Sequence, residues 1–105
     1  MKTLMVRYKT AEEHADTNAR LVRAVYDELR AESPAGLRYA TYRLADGVTF
    51  VHLATHAVDA SQLTRLPAFK AFQAGLPARC VEPPVVNELL LVDSYGVEAR
   101  LGSAP

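Results

Sequence analysis

The dipeptide Asp46-Gly47 constrains the fold of this chain more than any other feature of its sequence. It lies between two β-rich runs, residues 37–44 and 48–55, and Asp-Gly in that position is a strong signal for a two-residue hairpin turn. The turn sets the register, and the register decides which side chains share a face of the sheet. A three-residue turn would shift the pairing by one residue and exchange the two faces.

The predicted register collects polar side chains on one face of this hairpin. Thr41 faces His52 and Arg43 faces Phe50, because cross-strand partners lie on the same side of a sheet. The polar residues of this face are Tyr39, Thr41, Arg43, His52 and His56. The opposite face is almost entirely apolar and consists of Ala40, Tyr42, Leu44, Val51 and Leu53.

Four further elements flank the hairpin. Residues 4–8 and 85–93 are apolar runs that predict a first and a last strand. Thr10 and Glu13 have the spacing of a capping box, which predicts the start of a first helix. A second helix is predicted over residues 67–76, where a proline suits the first turn and two phenylalanines give an apolar face.

The resulting order, β-α-β-β-α-β, is the ferredoxin-like α+β plan, a four-stranded antiparallel sheet with two helices on one face. A sheet covered by helices on one side should be polar on the other. The last strand instead carries Val85, Val86 and residues 89–92, so its side chains are apolar on both faces of the sheet. We therefore expect a second copy of the chain to cover the bare face in a homodimer. The alternative is that these apolar side chains are exposed singly.

Chain length, net charge and cysteine count limit the classes to which this protein can belong. The chain has 105 residues, which predicts one domain over residues 1–96 and a flexible tail over residues 97–105. Its 12 basic and 12 acidic residues cancel, so we expect neither nucleic acid nor a membrane as a partner. Cys80 is the single cysteine, which excludes an intrachain disulfide and favours a cytoplasmic location.

The element order and the second-helix phrase LPAFKAF, from Leu66 to Phe72, resemble the dimeric α+β barrel superfamily, in particular the antibiotic-biosynthesis-monooxygenase-like domains. The resemblance covers residues 3–95. It implies that two sheets close into a barrel at a dimer interface and that each subunit has a pocket between sheet and helices. The superfamily includes cofactor-free oxygenases of aromatic polyketides, haem-degrading enzymes and isomerases.

The sequence departs from the haem-degrading members, which rely on a pocket tryptophan, a second-helix histidine and a first-strand asparagine. This chain has no tryptophan, no histidine between Pro67 and Leu76, and Arg7 and Tyr8 in the first strand. Haem degradation is therefore discounted, and no cofactor is expected. The missing tryptophan also weakens the likeness to the polyketide oxygenases.

His52 and His56 are four residues apart, a spacing that permits a shared metal ion on a helix but not on a strand. At about 3.3 Å per residue they would lie about 13 Å apart, whereas zinc–nitrogen bonds are about 2.0–2.1 Å long. We therefore expect no metal site, unless His56 lies beyond the end of the strand.

The apolar stripe of the first helix continues backwards from Leu21 to Asn18 and His14. With the polar face of the hairpin, these residues predict either a small-molecule pocket or a hydrogen-bonded polar core. In a working pocket His52 would be the catalytic acid or base, because histidine titrates near working pH. The substrate-binding residues would then be His14, Asn18, Tyr39, Thr41, Arg43 and His56.

Two functions follow from these alternatives. The first, which the family resemblance implies, is a cofactor-independent monooxygenase that acts on an apolar, aromatic or polyketide-like substrate. The second is a non-catalytic dimeric ligand-binding or accessory module whose polar face is structural. Fold alone does not decide between them, because one fold hosts many functions.

Overall fold

The computed structural model describes residues 1–57 and 61–96. The elements follow one another in the order β1 (Lys2–Thr10), α1 (Ala15–Glu32), β2 (Leu37–Arg43), β3 (Thr49–His56), α2 (Ser61–Thr64), α3 (Pro67–Arg79) and β4 (Cys80–Leu89). A short 3-10 turn, Glu12–His14, precedes α1. The tail predicted over residues 97–105 lies outside the described residues.

The four strands form one antiparallel sheet in the order β2-β3-β1-β4. Helices α1 and α3 pack against each other and cover one face of it. The core between helices and sheet is built around Tyr8, Val25, Phe50, Leu66 and Phe72. This is the predicted ferredoxin-like α+β fold. None of the described helices is long and apolar enough to cross a membrane.

The predicted hairpin register is confirmed. Thr41 pairs with His52 and Arg43 pairs with Phe50 in the β2–β3 ladder. Residues 50, 52, 54 and 56 of β3 are buried under the helices, while the residues between them are partly exposed on the other face. The register therefore carries the polar side chains of the hairpin towards the helices.

The turn is longer than the predicted two residues. The N–H of Gly47 donates to the carbonyl oxygen of Leu44 at 2.9 Å, and Gly47 has a φ of 78°, which glycine adopts without strain. The carboxylate of Asp46 accepts hydrogen bonds from the N–H groups of Val48 and Thr49 and from the Thr49 hydroxyl. The side chain of Asp46 therefore closes the loop together with the turn bond between Gly47 and Leu44.

Two local predictions are wrong. Thr10 does not cap a helix: it ends β1, and its hydroxyl donates to the carbonyl oxygen of Val48 at 3.1 Å. The last strand begins at Cys80 and ends at Leu89 instead of spanning residues 85–93. It includes two prolines, which an edge strand tolerates because one side of its backbone needs no ladder hydrogen bonds.

Candidate functional site

His52 is the centre of a buried hydrogen-bonded network beneath the helices. Its side chain faces the core from the middle of β3, and the residue is 4% exposed. Nε2 lies 2.8 Å from the hydroxyl of Tyr8 on β1. Nδ1 lies 2.7 Å from the hydroxyl of Tyr39 and 3.0 Å from that of Thr41, both on β2. Both ring nitrogens therefore have hydrogen-bond partners inside the protein.

One arm of the network runs from Tyr8 into the helices. The amide nitrogen of Asn18, a fully buried residue of α1, donates to the Tyr8 hydroxyl at 2.8 Å. Nε of Arg79, the last residue of α3, donates to the amide oxygen of Asn18 at 3.0 Å, and Nη2 donates to the carbonyl oxygen of Phe72 at 2.8 Å. Arg79 is 7% exposed, so this arm ends in a buried cation held by neutral acceptors.

The other arm runs towards the surface between α1 and β2. The hydroxyls of Thr41 and Tyr26 are 2.8 Å apart. The rings of Tyr26 and Tyr39 stack with their centroids 5.2 Å apart and their planes 16° from parallel. Tyr26 therefore links α1 to the hydroxyl pair on β2 that meets His52.

Aromatic packing holds the imidazole in place. The Tyr8 ring stacks on His52 at 5.3 Å and on Phe50 at 5.6 Å between centroids. Phe72 of α3 closes the other side, 5.5 Å from the His52 ring. The Tyr39 ring also stacks on His52, with 5.8 Å between centroids. The space around His52 is therefore filled by side chains, and three rings fix its rotamer.

Counting donors assigns the proton positions in the network. Tyr8 already accepts a hydrogen bond from Asn18, and Tyr8 is 2% exposed, so its own proton needs a buried acceptor. Two side chains among residues 1–57 and 61–96 bond to this hydroxyl, Asn18 through a donor nitrogen and His52 through Nε2, so Nε2 is the acceptor. Nε2 is then unprotonated, and Nδ1 carries the proton and donates to Tyr39, with a weaker share to Thr41. The Tyr39 hydroxyl keeps its own proton, which the neighbouring Thr41 hydroxyl can accept until a ligand offers another acceptor.

The donors of this series therefore all point in one direction, from the buried Arg79 guanidinium to the Tyr39 hydroxyl. Arg79 donates to Asn18, Asn18 donates to Tyr8, and Tyr8 donates to His52. His52 in turn donates to Tyr39. Hydrogen bonds aligned in this way polarise one another in a low-dielectric interior. The arrangement strengthens Tyr39 as a donor to anything bound beside it.

Burial determines the charge of each member of the network. It lowers the pKa of His52 to about 4, so the imidazole is neutral at neutral pH. It raises the pKa of the Tyr8 and Tyr39 hydroxyls, which stay protonated. It also lowers the pKa of Arg79, although a guanidinium remains charged at any physiological pH. A neutral imidazole with both nitrogens occupied is a weak base for a bound molecule.

A groove of about 610 Å³ opens at the outer end of the network, between α1 and the free edge of β2. Helix α1 contributes Arg23, Tyr26, Asp27 and Arg30, and β2 contributes residues 39–42. A smaller recess of about 190 Å³ shares Arg23, Tyr26 and Thr41 with the groove and reaches Phe50. Rings, hydroxyls and cations therefore line one continuous surface, which suits a planar molecule with polar substituents.

The structure brings together four of the residues predicted for the site. His52, Tyr39, Thr41 and Asn18 belong to the network, and the two β2 residues also line the groove. Their roles towards a ligand stay a prediction.

The other three predicted residues lie apart from this network. Arg43 reaches the smaller recess, but its guanidinium bonds to the carbonyl oxygen of Gly47 and to Asp16. His14 is exposed at the N-terminal end of α1. His56 is buried at the far end of β3, and its Nδ1 has no partner among residues 1–57 and 61–96.

Sequence reasoning missed three members of the network, Tyr8, Tyr26 and Arg79. The sequence favours packing roles for Tyr8 and Tyr26, although Tyr26 carries a usable signal because it follows Val22 at helical spacing on α1. Tyr8 depends on the β1–β3 pairing, which joins residues more than 40 positions apart. Arg79 depends on α3 continuing past Pro77, whereas the predicted helix ended at residue 76.

Clusters of metal-ligating side chains are absent from the part of the chain that the structure describes. No three His, Cys, Asp or Glu residues there are grouped so as to hold a metal ion. Both His52 and His56 lie within β3, which is the placement that the spacing argument assumed.

No protein-family model matches the sequence, and no curated protein matches it. Solved structures do match. A crystal structure of an antibiotic biosynthesis monooxygenase superposes with a TM-score of 0.73 at 18% identity and covers 89% of this chain and 100% of its own. SnoaB, a cofactor-independent oxygenase from Streptomyces nogalater, gives a TM-score of 0.66 at 14% identity, covering 91% and 97%.

A protein of unknown function from Nitrosomonas europaea, NE2512, matches equally well, with a TM-score of 0.68 at 17% identity over 92% of this chain and 94% of its own. Named oxygenases and a protein of unknown function thus share one backbone plan at low identity. The comparisons establish that the chain has the ferredoxin-like α+β fold of the antibiotic biosynthesis monooxygenase-like structures.

Proposed function

We propose that the chain is a cofactor-independent oxygenase that binds a hydroxylated or carbonyl-bearing aromatic molecule in the groove between α1 and β2. The observation that carries the proposal is the one-directional series of hydrogen bonds from Arg79 to Tyr39. Such a series favours an oxygen acceptor beside Tyr39, because each donor behind it strengthens the last one. The fold of SnoaB supports the reaction class by analogy.

The chemistry needs an oxyanion to be stabilised while the substrate reduces dioxygen. Loss of a proton from a CH₂ group flanked by an aromatic ketone gives an enolate, whose charge lies on the carbonyl oxygen. Tyr39 would donate to that oxygen, as preorganised donors do where charge develops. Water in the open groove takes the proton, because both nitrogens of His52 are occupied.

The overall reaction is balanced without a cofactor. The substrate R₂CH₂ reacts with O₂ to give R₂C=O and H₂O. Two C–H bonds break and one C=O bond forms, so the carbon loses four electrons, and dioxygen accepts all four. One oxygen atom enters the product and the other leaves as water. In this proposal His52 is a positioning residue that polarises Tyr39, and it does not itself remove the proton of the substrate.

A second candidate function is the non-catalytic binding module. It is favoured by the saturation of His52, whose neutral ring offers no free nitrogen to a ligand. The same groove would then bind its aromatic ligand without turnover. The two candidates share a site and differ only in whether oxygen is consumed.

Oxygen uptake with an anthrone as the substrate, in the presence of a metal chelator, tests the proposal. We expect uptake of one O₂ per anthrone above the uncatalysed rate. Tyr39→Phe should lower kcat by about a hundredfold, which is the usual cost of removing one oxyanion donor. Tyr95→Phe removes a hydroxyl from a residue that is 99% exposed and should leave kcat unchanged.

The outcomes separate the two functions. Binding of anthrone without oxygen uptake would contradict the oxygenase and leave the binding module. Uptake that Tyr39→Phe does not reduce would show that the reaction does not use the network.

A further inference from the structure

We infer that Arg23 makes the groove selective for aromatic substrates that carry a carboxylate. The inference rests on the proposed function, since it names the substrate class for the same groove. It adds a specificity-determining residue on α1, separate from the network that meets the reacting oxygen.

Arg23 has a position that no other charged residue of the groove shares. It lines both the groove of about 610 Å³ and the adjoining recess of about 190 Å³. Tyr26 and Thr41, whose hydroxyls form the outer end of the network, are the other residues common to both. A molecule held against those hydroxyls therefore lies along the same wall as the Arg23 guanidinium.

The charges of the groove do not cancel. Three charged residues line it: Arg23, Asp27 and Arg30. Asp27 pairs with Arg30, whose Nη1 lies 3.6 Å from the carboxylate, and the Arg30 guanidinium also covers the Tyr26 ring at 5.9 Å. Within residues 1–57 and 61–96, Arg23 has no ion pair. The groove therefore holds one uncompensated positive charge.

The chemistry of arginine indicates which anion would match it. A guanidinium presents paired N–H donors that fit the two oxygens of a carboxylate. The rings of Tyr26 and Tyr39 stack on each other, so their edges form the wall beside it, which suits edge-to-face contact with an aromatic body. An aromatic carboxylate can therefore place its ring on this wall, its hydroxyl or carbonyl oxygen at Tyr39, and its carboxylate at Arg23.

Fluorescence titration with two matched ligands tests the inference. A hydroxynaphthoate and the naphthol that lacks its carboxylate differ only in the anionic group, and the chain has no tryptophan to interfere. We expect the hydroxynaphthoate to bind roughly three- to fivefold more tightly, which lies in the upper part of the range for an exposed ion pair. Added salt should reduce this preference.

Variants identify the residue responsible. Arg23→Gln should abolish the preference, and Arg23→Lys should retain part of it because the charge remains. Arg20→Gln is the matched control: Arg20 lies on the same helix, bonds to Thr17 and lies outside the groove, so the preference should persist.

The results also distinguish this inference from the proposed function. Equal binding of both ligands, or a preference that survives Arg23→Gln, would overturn the role of Arg23 while leaving the oxygenase standing. If neither ligand binds, both the carboxylate site and the groove as a substrate site are wrong. All of these variants change exposed or half-exposed helix positions, so loss of folding is not expected.

Discussion

Tyr8 and His52 share a buried hydrogen bond of 2.8 Å although they are not partners in the β1–β3 ladder. The ladder pairs His52 with Val6 and pairs Tyr8 with Phe50, so the bond runs diagonally across the helix-facing side of the sheet. Diagonal neighbours on one face are within reach of long aromatic side chains. This bond connects the arm that ends at Arg79 to the arm that ends at the groove.

Tyr8→Phe should lower the free energy of unfolding by at least about 2 kcal/mol. The change keeps the ring and its stacking, but it leaves Nε2 of His52 and the amide nitrogen of Asn18 buried without their partner, and each such loss costs about 1–3 kcal/mol. Urea denaturation measures the change. Tyr95→Phe, at an exposed position, should stay within about 0.5 kcal/mol of the parent. A Tyr8→Phe protein as stable as its parent would contradict the network.

Acid should destabilise the protein through His52. Burial lowers its pKa to about 4 in the folded chain, whereas the unfolded chain titrates near the ordinary value of 6.5. Between these values the unfolded state binds a proton that the folded state does not, so stability is full above about pH 6.5 and falls as the pH drops towards 4. The loss from this group is at most about 3 kcal/mol. Denaturation at several pH values measures it.

The control for that prediction is a histidine outside the core. His52→Gln should flatten the decline between pH 6.5 and 4, although the variant is less stable throughout. His14→Gln, at an exposed position, should keep the decline of the parent. A parent whose stability does not change over this interval would show that His52 is not buried as a neutral ring.

The hairpin explains how much of this site the sequence could predict. Asp46-Gly47 and the alternation around it were sufficient for the register, because a shift by one residue would bury the wrong face. The register placed Tyr39, Thr41 and His52 together correctly. It could not reveal Tyr8, because no local pattern fixes the pairing of strands that are far apart in the chain.

The two wrong predictions, a helix cap at Thr10 and a last strand over residues 85–93, have a common physical cause. Thr10 matched a capping box, but the same hydroxyl satisfies a backbone carbonyl of the hairpin once β1 extends to it. The prolines of β4 are breakers inside a sheet and are tolerated at its edge. In both places the tertiary position of the segment overrides the local signal, and the sequence alone does not contain that position.

Asp46→Ala should lower the melting temperature by a few degrees at neutral pH, because three hydrogen bonds that close the hairpin loop are lost. Hydrogen bonds from Thr49 and Val48 hold the pKa of this carboxyl at about 2, below its ordinary value of 3.8. Its contribution is therefore present above about pH 4 and is lost as the pH falls towards 2. Thermal melts of parent and variant should converge in that interval. A constant difference down to pH 2 would show that the charge of Asp46 is irrelevant to the loop.

We propose that the chain assembles as a homodimer through the sheet. Apolar side chains on both faces of β4 are exposed in the single chain, among them Val81, Val85 and Val86, each more than half exposed. Leu89 to Val92 continue this surface, with Leu90 82% and Val92 98% exposed. A contiguous apolar surface of this kind is typical of an interface.

Light scattering should therefore give about twice the chain mass of 11.5 kDa. Leu53 lies on the helix-free face of β3, where it pairs with Met5 and Ala40. Leu53→Lys places a charge on this face and should shift the mass towards 11.5 kDa, because burying an unpaired charge between two sheets is costly. Ala24→Lys adds the same charge to an exposed position of α1 and should leave the dimer intact. Circular dichroism of each variant verifies that it is folded. A parent chain that remains monomeric at high concentration would contradict the dimer, and the apolar side chains of β4 would then need another partner.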